Sequence, residues 1–231
     1  MNRPMGGLLL FVWLAVSAAT AFQPASVAAL PQTGAVSPPA LPPDVDQLPD
    51  LTTFIHQVSS GRPDEIVGLY IPGLAALLVE LQQPDEPYSV TDHPLATTLF
   101  SDSIFAGSIG LLAHSHLAGQ FFSQIPLEQP VILVYGDGHT AAYQVDRLET
   151  YQALQPNDPY SQFASLLDGS RWTSQRLFTH IYGSGPNLIL QTCLEKDGQS
   201  SWGRLFVIAV PAQDLLWKSL MEANHLVALA S

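Results

Sequence analysis

The chain has 231 residues, of which 47% are hydrophobic and only 12% charged, and its formal net charge is −12. This acidic balance argues against nucleic acid or an anionic lipid surface as a partner, because neither attracts a negatively charged protein. The single cysteine, Cys193, excludes an internal disulfide, so stability must come from an ordinary hydrophobic core.

Residues 1–22 resemble an export signal. Arg3 precedes an almost wholly apolar run from Gly6 to Ala21, which ends in small residues. The run is slightly shorter than the roughly 20 residues that a membrane-spanning helix needs. A cleaved signal peptide is therefore favoured over a retained anchor. In either case we expect the protein to be exported to the extracellular face of the membrane or to the cell envelope, with membrane contact only through this segment.

A proline-rich segment follows over residues 23–50. It holds seven prolines, namely Pro24, Pro31, Pro38, Pro39, Pro42, Pro43 and Pro49. Prolines at this density are incompatible with the interior of a helix or sheet and favour a semi-extended spacer. We predict a linker between the export segment and a folded domain.

From Leu51 the composition becomes globular, and we predict one domain over residues 51–211. Gly136-Asp137-Gly138 is typical of a tight hairpin turn. Many short strands, few helices and no alternation of strand and helix predict a mainly β, closed or nearly closed barrel. The predicted helices are Pro94–Phe100, Leu117–Phe122 and Ser174–Tyr182. The predicted strands are Ile66–Ile71, Leu77–Leu81, Ser108–Ala113, Val131–Tyr135, His139–Asp146, Leu188–Cys193 and Arg204–Val210.

Two segments, one before and one after the last predicted strands, carry further predictions. The long connection from Tyr160 to Asn187 leads into the strand that ends at Cys193, so it either walls a groove beside the thiol or is a surface excursion with its own helix. Residues 212–231 carry leucines at helical spacing, which predicts a C-terminal helix packed on the outside of the barrel.

Three chemically reactive side chains lie at the ends of predicted strands. Cys193 closes one apolar run, His114 follows another, and Arg204 opens a third. If these ends meet in space, they unite a thiol nucleophile, a proton carrier and a cation. His116 lies two residues beyond His114 and is an alternative proton carrier, but His114 is favoured because it directly ends the apolar run.

These strand ends resemble the motifs of sortases. Leu190-Gln191-Thr192-Cys193 is similar to the strand end that carries the sortase cysteine, and the run from Arg204 to Ala209 is similar to the strand that follows it. Leu112-Ala113-His114 is similar to the strand end that carries the sortase histidine, although Ala113 stands where glycine is usual. The resemblance extends loosely over residues 66–210 and implies a sortase-like barrel of about eight strands.

The resemblance implies a cysteine transpeptidase. Cys193 would attack a peptide carbonyl in a short sorting motif and form a thioacyl enzyme, His114 would transfer the protons, and Arg204 would stabilise the oxyanion. Thr192 and Ala113 would line the substrate site. The implied partners are surface proteins that bear a sorting motif, together with an amine acceptor or water. No cofactor or metal is expected, and the enzyme is expected to be a monomer.

Two alternatives remain from the sequence. A non-catalytic module with the same fold would bind peptide or wall polymer without cleaving it. A metal site would instead use His114, His116 and Cys193, completed by His139 or His180; it would leave Arg204 without a role.

The linker itself contains a match to a sorting motif. Residues 30–34 read Leu-Pro-Gln-Thr-Gly, which fits the pattern cut by one large group of sortases. Because the match precedes the domain and lies in a proline-rich segment, we interpret it as a coincidence.

Overall fold

A computed structural model describes residues 48–212, with the exception of 84, 87, 88, 157 and 159. The predicted export segment, nearly all of the linker with residues 30–34, and the C-terminal helix beyond residue 212 therefore lie outside the described residues. Within the described part of the chain, no helix has the length and apolar character needed to cross a membrane.

The described residues form ten strands and four short helices. The helices are α1 (Leu51–Val58), α2 (Ser101–Ala106), α3 (Gly119–Phe122) and α4 (Ser174–Tyr182). The strands are β1 (Ile66–Ile71), β2 (Ala75–Leu81), β3 (Ala96–Phe100), β4 (Ile109–Ala113), β5 (Pro130–Tyr135), β6 (Thr140–Ala153), β7 (Phe163–Ser165), β8 (Arg171–Trp172), β9 (Leu188–Lys196) and β10 (Gln199–Pro211).

Eight of the strands close into a barrel. Their order is β10-β9-β4-β3-β2-β1-β5-β6, and pairing of β6 with β10 completes the ring. The β2–β3 and β4–β9 pairs are parallel, and the other pairs are antiparallel. Strands β7 and β8 extend the sheet from β6 outside the ring. The predicted mainly β, closed barrel of about eight strands with short helices is confirmed.

Alternation along the strands separates an inner core from an outer one. On β10, Leu205 and Val207 belong to the core inside the barrel, whereas Phe206 and Ile208 belong to a second buried cluster outside it. Successive strand residues point to opposite faces, so this division extends along the whole strand. The outer cluster includes Leu177, Ile181 and Tyr182 of α4.

The long connection between β6 and β9 thus covers the outer face of the barrel. It contains β7, β8 and α4, and α4 has the predicted bounds Ser174–Tyr182. Thr173 caps this helix by accepting a hydrogen bond from the backbone N–H of Arg176. The connection is therefore a packed layer with its own core residues.

One predicted helix is wrong. Residues 94–100 were expected to be helical, but Ala96–Phe100 is strand β3, paired in parallel with β2 and antiparallel with β4. The β-branched Thr97 and Thr98 favour a strand. The local sequence is compatible with either a helix or a strand, and pairing on both edges, with β2 and with β4, selects the strand.

Other elements differ in length or were not predicted. β6 has 14 residues, longer than the predicted His139–Asp146, because it pairs with β5, β7 and β10 in turn. α3 begins at Gly119 and not at Leu117, since the N–H groups of both residues donate to the His114 carbonyl in a turn. The elements α1, α2, β7 and β8 were not predicted.

The last residues of the predicted linker hold α1 in place. The Asp50 carboxylate accepts hydrogen bonds from the backbone N–H of Thr53 at 3.0 Å and from its hydroxyl at 2.7 Å. The Pro49 carbonyl accepts a hydrogen bond from the hydroxyl of Tyr70 at 3.0 Å. The backbone bond from Thr53, with the hydroxyl bond after it, lowers the pKa of Asp50 below its ordinary value.

We predict that Asp50→Ala lowers the melting temperature at pH 7 by a few degrees, because a helix N-cap is lost. A depressed pKa in the folded state means that this contribution is present above the ordinary aspartate pKa of about 3.9 and is lost as the pH falls through the folded value. Thermal denaturation at several pH values should show that the difference in melting temperature between variant and wild type shrinks as the pH falls below the ordinary aspartate pKa. An equal loss in the control Asp64→Ala, an exposed aspartate before β1, would contradict the capping role.

Candidate active site

Two strand pairings bring the three predicted residues together. β4 and β9 run in parallel with Ala113 opposite Thr192, so His114 and Cys193 follow side by side as the next residues. In the antiparallel β9–β10 pair, Cys193 lies directly opposite Arg204. The histidine, the thiol and the guanidinium therefore come from three adjacent strands at one end of the barrel.

The side chains of Cys193 and Arg204 face outward from the barrel. Cys193 is four residues from Ile189 and Arg204 is two residues from Phe206, both of which belong to the outer cluster. His114 follows the end of β4 and lines one cavity with Leu112, another member of that cluster. Because residues an even number apart on a strand share a face, Cys193 and Arg204 lie on the outer face of the barrel wall, and His114 lines the same cavity.

The three residues line one small cavity of about 20 Å³, which has room for about one water molecule. Cys193 is half-buried, whereas His114 and Arg204 are each only 4% exposed. The full lining is Val90, Leu112, Ala113, His114, Gln191, Thr192, Cys193 and Arg204.

Arg204 is a buried cation without a carboxylate partner among the described residues. Its Nη1 donates to the backbone carbonyls of Ser201 at 3.2 Å and Gly203 at 2.8 Å. These two bonds orient the guanidinium and leave most of its five N–H groups for other acceptors. The guanidinium is thus held in the cavity wall, and none of the residues that the structure describes forms an ion pair with it.

The nearby carboxylate of Glu149 is hydrogen-bonded to other side chains. On β6, Tyr151 lies opposite Arg204, and its hydroxyl donates to Glu149 at 2.6 Å. Glu149 also accepts from Arg147 at 2.9 Å and pairs with His180 at 2.9 Å. Burial acts to raise the pKa of Glu149, but the bonds from Tyr151, Arg147 and His180 outweigh it and lower that pKa overall.

His114 is buried with its two ring nitrogens in different surroundings. Nε2 lies 3.2 Å from the Val90 carbonyl oxygen and 3.3 Å from the Asp92 carboxylate. Burial lowers the pKa of His114, opposed by the Val90 carbonyl and Asp92. The imidazole is therefore mainly neutral at pH 7.

His116, the alternative proton carrier, does not line this cavity. It is exposed in the turn after β4, and its ring stacks on that of His114 with the centroids 5.6 Å apart. Strand β4 ends at Ala113, so both histidines lie beyond the strand and only His114 reaches the cavity.

Thr192 and Ala113, the predicted substrate-binding residues, also line the cavity. The hydroxyl of Thr192 donates to the Ala113 carbonyl at 2.9 Å, which ties β9 to β4 just before Cys193 and His114. The predicted role of both residues in binding substrate stays a prediction.

Val90, Asp92 and Gln191 were not singled out from the sequence. Val90 and Asp92 lie in the connection between β2 and β3, where no motif or periodicity marks them. Gln191 accepts a hydrogen bond at 2.6 Å from the hydroxyl of the fully buried Tyr182, whose pKa is raised by burial. Only tertiary structure brings Val90 and Gln191 to the cavity and Asp92 to the ring of His114.

The histidines proposed to complete a metal site lie in other places. His139 follows the β5–β6 turn, where it contacts Asp137 at 2.5 Å and stacks on Tyr135. His180 is on α4 and contacts Glu149. Across the described ranges, no group of three or more histidine, cysteine, aspartate or glutamate side chains is arranged to hold a metal ion.

Gly119 keeps the turn after β4 against the site. A Cβ atom at this position would lie 2.6 Å from the His114 carbonyl oxygen and closer still to the Thr192 hydroxyl. Such contacts force atoms to move, because one of them is backbone. Only a residue without a side chain allows α3 to pack this closely behind His114 and Thr192.

We predict that Gly119→Ala lowers the free energy of unfolding by about 1–3 kcal/mol, the usual cost of overpacking. Urea denaturation measures this change. The control Gln120→Ala alters an exposed residue of the same helix and should unfold like wild type. Equal stability of the two variants would show that the turn adapts without cost.

No family model matches the chain, and no curated protein matches it. Among solved structures, it is similar to sortase C-1 from Actinomyces oris, at 15% identity and a TM-score of 0.42 over 76% of this chain and 89% of that one. Sortase A from Listeria monocytogenes matches at 12% identity and a TM-score of 0.42 over 64% of this chain and 88% of that one. Sortase E1 from Streptomyces coelicolor, solved with a tripeptide in the active site, matches at 13% identity and a TM-score of 0.41 over 67% of this chain and 90% of that one. All three of these similar structures are sortases, each from a different organism.

Proposed function

We propose that the protein is a cysteine transpeptidase of the sortase type. The observation that supports this most is the shared cavity of Cys193, His114 and Arg204, three residues that converge from separate strands. A thiol nucleophile, a proton carrier and an unpaired cation are the groups needed to cleave and re-form a peptide bond.

In the first half of the reaction, the sulfur of Cys193 attacks the peptide carbonyl carbon and the thiol proton passes to His114. The carbonyl oxygen becomes negatively charged, and Arg204 donates hydrogen bonds to it. The carbon–nitrogen bond then breaks, and His114 gives its proton to the leaving amine. The product is a thioester between Cys193 and the acyl part of the donor peptide.

In the second half, an amine or a water molecule attacks the thioester carbon. His114 takes a proton from this nucleophile, and Arg204 again binds the oxyanion. The carbon–sulfur bond breaks, and the sulfur of Cys193 leaves and regains a proton. The acyl group is thereby transferred to the amine as a new peptide bond, or released as an acid by water.

The cavity size fits this role. At about 20 Å³ it matches the reacting carbonyl oxygen and not a whole peptide. The half-buried position of Cys193 leaves the sulfur open to a peptide that lies along the outer face. Desolvation around the buried Arg204 strengthens its hydrogen bonds to a developing negative charge.

The proposal includes the setting and the partners. The donors would be exported proteins that carry a short sorting motif, and the acceptor an amine on another envelope component. The apolar N-terminal segment and the proline-rich linker support an extracellular location, with the domain held away from the membrane. A binding module without catalysis has the same fold and is distinguished by the test below.

We predict that wild type converts one or more peptides in a library of sorting motifs, and that Cys193→Ala converts none. The chain has no second cysteine to replace the nucleophile. Mass spectrometry, with and without an added amine, detects the cleaved and the transferred products and the thioester on Cys193. Melting temperature and circular dichroism should show that the variant folds.

The outcomes separate the candidate functions. Cleavage that persists in Cys193→Ala would exclude the thiol mechanism. Peptide binding without cleavage by wild type would support the non-catalytic module instead.

We predict that Arg204→Lys lowers kcat/KM by about tenfold or more, because lysine keeps the charge but loses the planar fork that binds an oxyanion in a fixed direction. The comparison is made with Arg171→Lys, which changes an exposed arginine on β8. Steady-state kinetics on the best library peptide gives both values. Equal activity of the two variants would assign Arg204 a purely structural role.

A further inference from the structure

The ring of His114 has one nitrogen whose protonation is fixed by its neighbours. Nε2 lies 3.2 Å from the Val90 carbonyl and 3.3 Å from the carboxylate of Asp92. Both neighbours accept hydrogen bonds and neither donates one when the carboxylate is ionised. Nε2 must therefore carry a hydrogen in the neutral ring as well as in the charged ring.

The other nitrogen, Nδ1, is buried and has no hydrogen-bond partner among the described residues. The ring that carries it lines the same cavity as Cys193 and Arg204. In the neutral ring, a proton on Nε2 leaves a bare lone pair on Nδ1. An unpartnered buried acceptor is costly unless the molecule uses it.

We propose that Asp92 is a positioning residue that, together with the Val90 carbonyl, holds His114 with Nε2 protonated, so that Nδ1 exchanges the proton with the sulfur of Cys193. This inference rests on the proposed function, since it assigns the atom through which His114 acts. Asp92 does not touch the reacting groups and works through the ring it orients.

The segment that carries both acceptors is tethered to the barrel. Between Val90 and Asp92, the backbone N–H of Thr91 donates at 2.8 Å to the hydroxyl of Thr98, a buried residue of β3. Thr98 lies opposite Leu112 on β4, two residues before His114. The tether thus places the carbonyl and the carboxylate on one side of the imidazole.

Four titratable or charged groups surround His114 from the elements packed against it. They are Asp92 on the β2–β3 connection, His116 in the following turn, Cys193 on β9 and Arg204 on β10. Of these four, Asp92 supplies the negative charge that favours the imidazolium. Burial lowers the pKa of His114, Asp92 opposes this shift, and His116 adds to it, so loss of the Asp92 carboxylate should lower the pKa further.

The first test reads the tautomer directly. Nitrogen NMR of ¹⁵N-histidine-labelled protein, with His114 assigned through His114→Gln, should show the neutral ring protonated at Nε2. A neutral ring protonated mainly at Nδ1 would overturn the inference. This measurement needs no turnover, so it decides the inference even if the protein cleaves no peptide and the proposed function fails.

The second test is the pH profile of kcat/KM for Asp92→Asn. The acidic limb, where His114 becomes charged, should move to lower pH, and the maximal value should fall by about two- to fivefold, the range expected for an exposed ionic partner. Asp92→Glu keeps a carboxylate at this position and should return the acidic limb to its wild-type pH. Asp85→Asn, which changes an exposed aspartate on the same connection, should follow wild type. An acidic limb that stays in place in Asp92→Asn would overturn the positioning role.

Discussion

The parallel pairing of β4 with β9 is the constraint on which the candidate site depends. It sets Ala113 opposite Thr192 and so aligns the two residues that follow, the histidine and the cysteine. The bond from the Thr192 hydroxyl to the Ala113 carbonyl and the close approach of Gly119 fix this alignment from inside the wall. A shift of one residue between these strands would turn Cys193 to the opposite face from His114.

The electrostatics of the site follow from its burial. A buried guanidinium normally requires a paired charge, yet the described residues give Arg204 only backbone carbonyls. His114 beside it has a lowered pKa and is mainly neutral, which avoids a second buried cation. The cavity therefore holds one permanent positive charge, and an anion formed there in the course of a reaction gains the most from it.

The sequence predicted the barrel well, because alternating apolar runs and a glycine turn are local signals. The strand ends at the site differ, since β9 continues beyond Cys193 to Lys196 and β10 begins at Gln199, before Arg204. Cys193, His114 and Arg204 were found because each directly ends or begins such a run. Residues 94–100 were misassigned because only pairing with β2 and β4 distinguishes a strand there. Asp92 and Val90 carry no local signal, since their contact with His114 depends on how the β2–β3 connection returns to the barrel.

The order of the site residues along the chain also has a kinetic consequence. Cys193 and Arg204 lie on a hairpin whose turn at Asp197-Gly198 closes a short loop, whereas the bond between Thr192 and Ala113 joins residues 79 positions apart. Short loops close at less entropic cost and generally sooner than long ones. We therefore expect a newly made chain to bring the thiol beside its arginine first and to acquire its histidine only when the barrel closes. The thiol of Cys193 would thus meet the imidazole of His114 late in folding.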